Sequence, residues 1–319
     1  MKYLFAAALA LFLLAWGIGA GNCGYKEIYL LLSGGEFDPV SRAILLELRL
    51  PRLLAAFLAG GMLAASGCAS QHLFRNDLAS PHVLGVVNSS ALGAVCGLLL
   101  GGQLQTPLSI LAGILSLLLI LLPGKRWGWD APTLILAGIA VNALASAMTS
   151  GALFLADERL NSLVFWLLGG FWRITWQDCI LLAATALPGW TVLYYLSPEM
   201  DLLLLGDRAA ALSGLRLQRV KPLALFCIAL LTAIAVSCCG VIGFVGLAVP
   251  HIVRFFTGAS FRKLLPAAIV SGGILLLAAD LLARTLAAPQ EIPVGILTAL
   301  AGGPFFFWLL LRKGGKSAF

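Results

Sequence analysis

Apolar stretches of roughly 20 residues recur along the chain, and short polar connections separate them. A helix of that length crosses about 30 Å of hydrocarbon at 1.5 Å per residue. Runs such as ILAGILSLLLILL do not alternate polar and apolar residues, as the strands of a membrane barrel do. The pattern predicts an all-α, polytopic membrane protein with about ten spans, near residues 3–20, 53–70, 83–101, 107–122, 132–155, 178–196, 222–240, 243–257, 264–286 and 292–311.

The composition agrees with a membrane class. Of the 319 residues, 61% are hydrophobic and 11% are charged, whereas soluble domains have about 25% charged residues. We interpret residues 1–319 as one transmembrane domain. Lys2 and the apolar run after it also resemble a signal peptide, and AGNC at 20–23 resembles a lipoprotein cleavage site. Because Asn22 is a poor residue before that cysteine, an uncleaved first helix is the better interpretation.

Lysine and arginine residues are unevenly divided between the two sets of connections. With an internal N-terminus, the internal set has Lys2, Arg75, Lys125, Arg126, Arg208, Arg216, Arg219, Lys221, Arg254, Arg262, Lys263, Arg312, Lys313 and Lys316. The external set has Lys26, Arg42, Arg49, Arg52, Arg159, Arg173 and Arg284. Because cytoplasmic loops carry the excess of Lys and Arg, both termini are predicted to be cytoplasmic. The net charge of +7 therefore reflects topology, and no nucleic-acid partner is expected.

Three arginines on the external side do not follow this charge bias. Arg49 and Arg52 lie in RLPRLL, directly before a predicted apolar helix, and Arg284 follows Asp280 by one helical turn in ADLLAR. Headgroup anchoring by long side chains is one interpretation, and mutual neutralisation of Asp280 and Arg284 is another. The alternative is docking of an acidic partner, because arginine binds carboxylates with a rigid, two-pronged group.

The connection over residues 197–222, SPEMDLLLLGDRAAALSGLRLQRVKP, is too polar and too mixed in charge to span a membrane. Gly206 and Gly214 divide it into short pieces. Five apolar residues can line one side of a short helix within it: Leu204, Leu205, Ala209, Leu212 and Leu215. Such a helix either lies on the lipid surface or contacts a cytoplasmic protein.

Groups for catalysis or metal binding are sparse. The three histidines have no carboxylate at metal-ligand spacing, and the seven cysteines contain no C-x-x-C motif. GGKS at 314–317 resembles the end of a phosphate-binding loop, but Leu310 stands where its first glycine belongs. We therefore predict no metal, no cofactor and no enzymatic activity.

Glycine, proline and small polar residues occur at positions of predicted membrane depth. They lie mainly in LASPHVLGVVNSSALG, GFVGLAVP and IPVGILTALAGGP. Irregular backbone is tolerated in membranes where protein covers it or where it lines a watery cavity. These segments indicate a transport pathway, for which the candidate residues are Gly85, Asn88, Ser89, Ser90, Phe244 and Pro250.

A series of motifs occurs in order from about residue 49 to residue 313. It comprises RLPR before an apolar helix, LFRNDLASPHVLGVVNSSALG, FWLLGGFWRITW, LGDRAAALSG, GFVGLAVPHIVR, LLPA, ADLLAR and EIPVGILTALAGGPFFFWLLL. In these motifs the chain resembles the permeases of ABC importers for iron–siderophore complexes, haem and cobalamin. Through NDLASPHVLGV it is similar to the ferric citrate and hydroxamate branch. It differs at His72, at Asp77 and in ALAGGP, which bears on the substrate.

The resemblance implies a pair of ten-helix permeases, identical or related, in a bacterial inner membrane, with two ATPase subunits on the cytoplasmic side. A periplasmic or lipid-anchored binding protein would deliver a metal chelate and would contact Arg49, Arg52 and Arg284 through acidic residues. The coupling helix of the family corresponds to LGDRAAALSG, with Leu205, Gly206, Asp207, Ala210, Leu212 and Gly214.

The expected mechanism is alternating access, in which ATP hydrolysis by the partner subunits moves the short helices at 203–216. Two rival classes of protein remain. A secondary transporter needs an ionisable relay within its helices, and the sequence offers only Asp280 and Arg284. A membrane enzyme needs convergent acid–base or metal groups, which the sequence does not suggest.

Overall fold

The computed structural model describes residues 2–18, 25–33, 38–127 and 129–314. Throughout this part of the chain the regular elements are helices, and no strand occurs in it. The helices are α1 (Lys2–Gly17), α2 (Tyr25–Ser33), α3 (Pro39–Ala43), α4 (Leu50–Phe74), α5 (Val86–Leu99), α6 (Gln105–Trp127), α7 (Ala131–Phe154), α8 (Leu160–Leu167), α9 (Trp176–Tyr195), α10 (Ser197–Leu203), α11 (Asp207–Leu212), α12 (Leu217–Cys239), α13 (Val245–Thr257), α14 (Phe261–Thr285) and α15 (Val294–Gly314). A π-helix over Ile44–Arg49 joins α3 to α4, and short 3₁₀ turns lie at Pro81–Leu84 and Asp157–Arg159.

The all-α membrane fold is confirmed, whereas the count of ten spans is not. Five described helical segments are long and apolar enough to cross a membrane: Pro39–Phe74, Gln105–Arg126, Ala131–Phe154, Leu217–Cys239 and Phe261–Thr285. Helices α9 and α10, which are bent by 60° relative to each other, make a sixth if they count as one span. The four remaining predicted spans coincide with shorter apolar helices: Tyr3–Gly17, Val86–Leu99, Val245–Thr257 and Val294–Phe307.

The RLPR motif lies at the start of α4, with Arg49 as the N-cap residue, but α4 continues a longer helical segment that begins before the motif. The segment runs from Pro39 to Phe74. Pro51 lacks a backbone N–H and cannot donate the hydrogen bond that an α-helix requires at that position. Directly before it the chain forms a π-helix, in which the N–H of Leu50 donates to the carbonyl of Leu45.

Helix α4 is the central element of the bundle. It is buried along most of its length and contacts α14, α12, α13 and α9. Glycines allow the closest of these contacts. A Cβ on Gly60 would lie 2.2 Å from the carbonyl oxygen of Gly272 on α14, and a Cβ on Gly67 would lie 1.7 Å from that of Gly246 on α13. Backbone contact of this kind is how helices pack in membranes, where burial of apolar side chains gives little driving force.

Charged residues form two separate groups. One joins the ends of α4, α11, α12 and α13 through the ion pairs Asp77–Arg254 and Asp207–Lys221. The other joins the start of α4 to the end of α14 through Arg52, Asp280 and Glu291. These groups agree with the internal and external sets assigned from the sequence. Helices α2 and α8, both short, were not predicted.

Candidate coupling, pathway and docking sites

The segment predicted to couple to an ATPase, here called the coupling segment, consists of α10, a sharp turn and α11. Gly206 has φ 102° and Gly214 has φ 88°, a conformation in which a Cβ is strained. The two glycines thus delimit α11, as the sequence predicted. Asp207 is the first residue of the helix, where a carboxylate interacts favourably with the helix dipole.

The coupling segment exposes several large apolar side chains, of which Leu212 and Leu205 are the most exposed. Leu212 is 86% exposed and Leu205 is 67% exposed, whereas Ala210 is completely buried against the bundle. The predicted apolar side of five residues does not form as such, because α11 has only six residues, Asp207–Leu212, and ends before Leu215. Leu205 in the turn and Leu212 at the end of α11 form an exposed surface at the internal end that is suited to an apolar cleft.

Lys221 holds the coupling helix to the bundle. Its side chain is 1% exposed, and its Nζ lies 2.7 Å from Oδ2 of Asp207 on α11. The same ammonium donates to the carbonyl oxygen of Trp129, at 2.5 Å. From the sequence, Lys221 is only one of the internal charges, because its partners Asp207 and Trp129 lie 14 and 92 positions away and give no local signal of contact.

Two further contacts join elements at this end. The carboxylate of Asp201 on α10 accepts hydrogen bonds from the N–H of Phe261, at 2.7 Å, and from Oγ of Ser260, at 3.2 Å. It therefore satisfies donors at the start of α14. Arg254 on α13 forms an ion pair with Asp77 and donates to Oε1 of Gln71 on α4. These polar residues were not singled out from the sequence as structural contacts.

At the opposite end, Arg52 is the centre of a cluster of charges. Its guanidinium group contacts Oδ1 of Asp280 at 2.8 Å and binds both carboxylate oxygens of Glu291, at 3.0 and 2.9 Å. Asp280 is completely buried, and its Oδ2 lies 3.1 Å from Nε of Arg284. The expected proximity of Asp280 and Arg284 is confirmed, and Arg52 and Glu291 share the same cluster.

Arg49 and Arg284 bind the end of the first helix. Arg49 donates to the carbonyl of Trp16, and Arg284 donates to the carbonyls of Ala15 and Ile18. The last carbonyls of a helix lack partners within it and carry a partial negative charge, which cations stabilise. The two arginines are only 5% and 9% exposed, so both point into the protein. The three predicted docking arginines lie in one region of the protein, and docking itself stays a prediction.

The predicted pathway residues do not line one common wall. Gly85 has φ 73° before α5, and Asn88 donates to Oγ of Ser146 on α7, at 3.0 Å. Ser89 and Ser90 are buried. A Cβ on Gly113 of α6 would lie 2.4 Å from Oγ of Ser90. Ser90 therefore lies in a contact between α5 and α6.

Phe244 and Pro250 belong to α13 and its start. Phe244 has φ 65°, an uncommon conformation for a bulky residue, and packs against Gly302 of α15. Pro250 is buried within α13. A cavity of about 210 Å³ lies beside Phe244, lined also by Leu63, Ser80, Pro81, His82, Val87, Ile242, Gly243, Gly246 and Leu247. Phe244 is the one predicted pathway residue among these lining residues.

Across the described segments, His, Cys, Asp and Glu residues form no group of three or more that could hold a metal ion. The six described cysteines are free: Cys68, Cys96, Cys179, Cys227, Cys238 and Cys239. The arrangement therefore consists of an internal surface for contact, an apolar cavity and an external cluster of charges.

Comparison with known proteins assigns the family. Residues 7–312 match the FecCD transport family. The chain belongs to this family. It is 36% identical over 315 residues to the hemin transport system permease protein HmuU of Yersinia pestis, covering 96% of this chain and 94% of that protein.

Other relatives cover similar lengths. Identity is 35% over 274 residues to a probable iron chelatin transport system permease protein of Helicobacter pylori, covering 85% of this chain and 83% of the relative. It is 37% over 289 residues to the vitamin B12 import system permease protein BtuC of Escherichia coli O6:H1, covering 89% and 88%. A solved structure described as an inward-facing metal-chelate type ABC transporter is 33% identical, covers 98% of both chains and has a TM-score of 0.88.

The resemblance drawn from RLPR, LGDRAAALSG and EIPVG is thereby confirmed. This member of the FecCD family is an ABC importer permease, a multi-pass membrane protein whose task is transport.

Proposed function

We propose that the protein is the permease subunit of an ABC importer that takes up an iron chelate across a bacterial inner membrane. The observation that carries the proposal is the family match over residues 7–312, together with the close structural similarity to a metal-chelate type ABC transporter. ATP hydrolysis takes place in two separate ATPase subunits, and the permease pairs with a second copy of itself or with a related chain.

The coupling segment supports an ATPase as the internal partner. Leu205 and Leu212 are exposed on a rigid turn and short helix, while Ala210 and the Asp207–Lys221 pair fix that helix to the bundle. A groove of about 770 Å³ lies beside it, lined by residues that include Trp129, Arg216 and Arg219. Gly206 and Gly214 give the segment its shape. An apolar centre with a charged rim is the usual anatomy of a protein interface.

The external cluster supports docking of an acidic binding protein, periplasmic or lipid-anchored. Of the three arginines, Arg52 is the most accessible, with a side chain 12% exposed, and it is held by Glu291, whose side chain is 36% exposed. An incoming carboxylate can replace Glu291 without breaking the buried contact to Asp280. Arg49 and Arg284 then contribute positive potential from beneath the surface.

The cavity beside Phe244 supports a largely apolar translocation pathway. Gly85 precedes α5, which carries Asn88, Ser89 and Ser90, and Pro250 lies within α13. We propose that α5 and α13 move when the pathway opens. Because the described residues include no metal-ligand group, substrate selection lies mostly with the binding protein.

An iron chelate is the preferred substrate, and haem and cobalamin are the alternatives within the same importer class. Relatives are named for hemin, iron chelatin and vitamin B12. They therefore support the class of substrate and do not single out one compound. The ferric citrate or hydroxamate branch suggested by NDLASPHVLGV stays a prediction.

Uptake of labelled compounds tests the proposal. The permease is supplied with its ATPase and binding protein in cells that lack their own importers. The panel is ferric citrate, a hydroxamate, a catecholate, haem and cobalamin. We expect ATP-dependent accumulation of one iron chelate. Uptake that is independent of ATP and follows a proton gradient would contradict the proposal. ATP-dependent uptake of haem or cobalamin alone would keep the importer class and would make that compound the substrate in place of an iron chelate.

A further inference from the structure

A single buried ammonium group joins three elements at the internal end of the bundle. Lys221 lies on α12, its ion-pair partner Asp207 opens α11, and its second acceptor, the carbonyl of Trp129, directly precedes α7. The distances are 2.7 Å to Asp207 and 2.5 Å to Trp129, and the lysine side chain is 1% exposed. A buried ammonium must be paired and hydrogen-bonded, so its contacts constrain these three elements together.

The Trp129 end of this connection is firmly attached to α7. Asp130, the next residue, accepts a hydrogen bond from the N–H of Thr133 and so caps the start of α7. Hydrogen bonds from the side chain of Thr133 and from its backbone N–H lower the pKa of Asp130. The ring of Trp129 packs against Gly124 of α6, where a Cβ would lie 2.9 Å from it. A displacement of the Trp129 carbonyl is therefore a displacement of the first turn of α7.

Helix α7 in turn holds the segment that begins α5. Asn142 donates to the carbonyl of His82 at 2.5 Å, and Asn88 donates to Ser146 at 3.0 Å. A Cβ on Gly138 would lie 2.1 Å from the carbonyl of Val83, so the two backbones touch. His82 lines the cavity beside Phe244. A continuous series of direct contacts thus leads from α11 through Lys221 and α7 to the cavity.

We propose that Lys221 is a positioning residue that transmits movement of the coupling helix α11 to α7 and the cavity. This inference rests on the proposed function, because it assumes that an ATPase moves α11. Lys221 touches neither substrate nor nucleotide in this scheme. Its ammonium makes α11, α12 and the start of α7 move as one body when Leu205 and Leu212 are displaced.

The test uses the complete importer, reconstituted with its ATPase and binding protein, and measures substrate transported per ATP hydrolysed. The variants are Lys221→Met, which keeps the length of the side chain and removes the ammonium, and Asp207→Asn, which weakens the ion pair and keeps the shape. Lys263→Met is the matched control, because it removes an ammonium group from an exposed position at the start of α14, outside the groove beside α11.

We expect Lys221→Met to retain ATP hydrolysis within about threefold of the unaltered importer and to lose at least tenfold in transport per ATP. Asp207→Asn should be intermediate, and Lys263→Met should be unchanged. Hydrogen exchange over residues 131–145 supplies a second measurement. ATP should alter exchange there in the unaltered importer and in Lys263→Met but not in Lys221→Met.

Each outcome decides a different point. An unaltered importer without ATP-driven uptake overturns the proposed function itself. An importer that transports normally, with Lys221→Met equally well coupled, overturns only the role of Lys221. If Lys221→Met does not assemble, Asp207→Asn decides: unchanged coupling and unchanged exchange over 131–145 would overturn the inference, and reduced coupling with intact assembly would support it.

Discussion

The carboxylate of Asp280 on α14 lies 2.8 Å from the guanidinium group of Arg52 on α4, in the most buried part of the external cluster. Asp280 also lies 3.1 Å from Nε of Arg284, so it is the shared counter-ion of two arginines. Its side chain has no exposed surface, whereas that of Glu291 is 36% exposed. The two carboxylates should therefore contribute very differently to stability.

Replacing Asp280 by Asn should destabilise the protein by about 3–5 kcal/mol, because it leaves buried positive charge without its partner. Thermal unfolding in detergent measures the change. Glu291→Gln is the matched control and should cost less than about 1 kcal/mol, because solvent screens a half-exposed pair. Equal losses of stability in both variants would show that the burial of Asp280 does not determine its contribution to stability.

Docking of the binding protein is predicted to depend on Arg52. Arg52→Gln should weaken the affinity for the binding protein about tenfold, which is about 1.4 kcal/mol, because a charge-assisted contact with an acidic residue is lost. Glu291→Gln should leave the affinity unchanged or raise it, because it frees two donors of Arg52. Binding of the labelled binding protein to the permease in nanodiscs measures both.

The control for this experiment is Arg42→Gln, since Arg42 is an exposed external arginine outside the cluster. It should bind normally. If Arg52→Gln is folded and binds the partner as tightly as the unaltered protein, the docking assignment fails, and the cluster serves only to hold α1, α4 and α14 together.

Contact with the ATPase is predicted to depend on Leu212. Leu212→Ala removes a side chain that is 86% exposed in the permease and that would be buried in the partner. Since burying a leucine is worth roughly 1.5–3 kcal/mol, the affinity for the ATPase should fall at least tenfold. Co-purification at graded salt and a titration of ATPase binding measure the effect. Leu122→Ala, at a position 64% exposed on α6, should leave assembly intact.

The sequence predicts the helices with long apolar runs, because length and hydropathy alone define a span. It located α6, α7, α12 and α14 closely. It does not predict that the segment before Arg49 is helical, because EFDPVSRA at 36–43 is polar and is not part of a long apolar run. The hydropathy of the sequence therefore does not predict the helical segment Pro39–Arg49.

The functional residues also divide into those that the sequence predicts and those that it does not. Gly206 and Gly214 were found because glycine has a local meaning at the ends of short helices. Lys221, Glu291 and Asp201 were missed as contacts because their partners lie far away in the sequence, such as Arg52, which is 239 residues from Glu291. No periodicity or spacing encodes such a pair, and only the packing of α4 against α14 brings it together.

The close contact of α4 and α13 yields a final prediction. A Cβ on Gly67 would lie 1.7 Å from the carbonyl oxygen of Gly246 and 2.6 Å from its Cα. Both are backbone atoms and cannot rotate away, so Gly67→Ala must push the two helices apart. Overpacking of this kind typically costs about 1–3 kcal/mol, and the distance at Gly67 argues for the upper end.

Gly151→Ala is the matched control, because nothing lies within 4 Å of its Cβ position on α7. Alanine in a helix interior is favoured over glycine by roughly 0.5–1 kcal/mol, so this variant should unfold at the same temperature as the unaltered protein or slightly higher. Thermal unfolding in the same detergent compares the two. Equal melting temperatures for both variants would mean that α4 and α13 separate without cost. The start of α13 at Phe244 would then be a mobile wall of the cavity and not a fixed one.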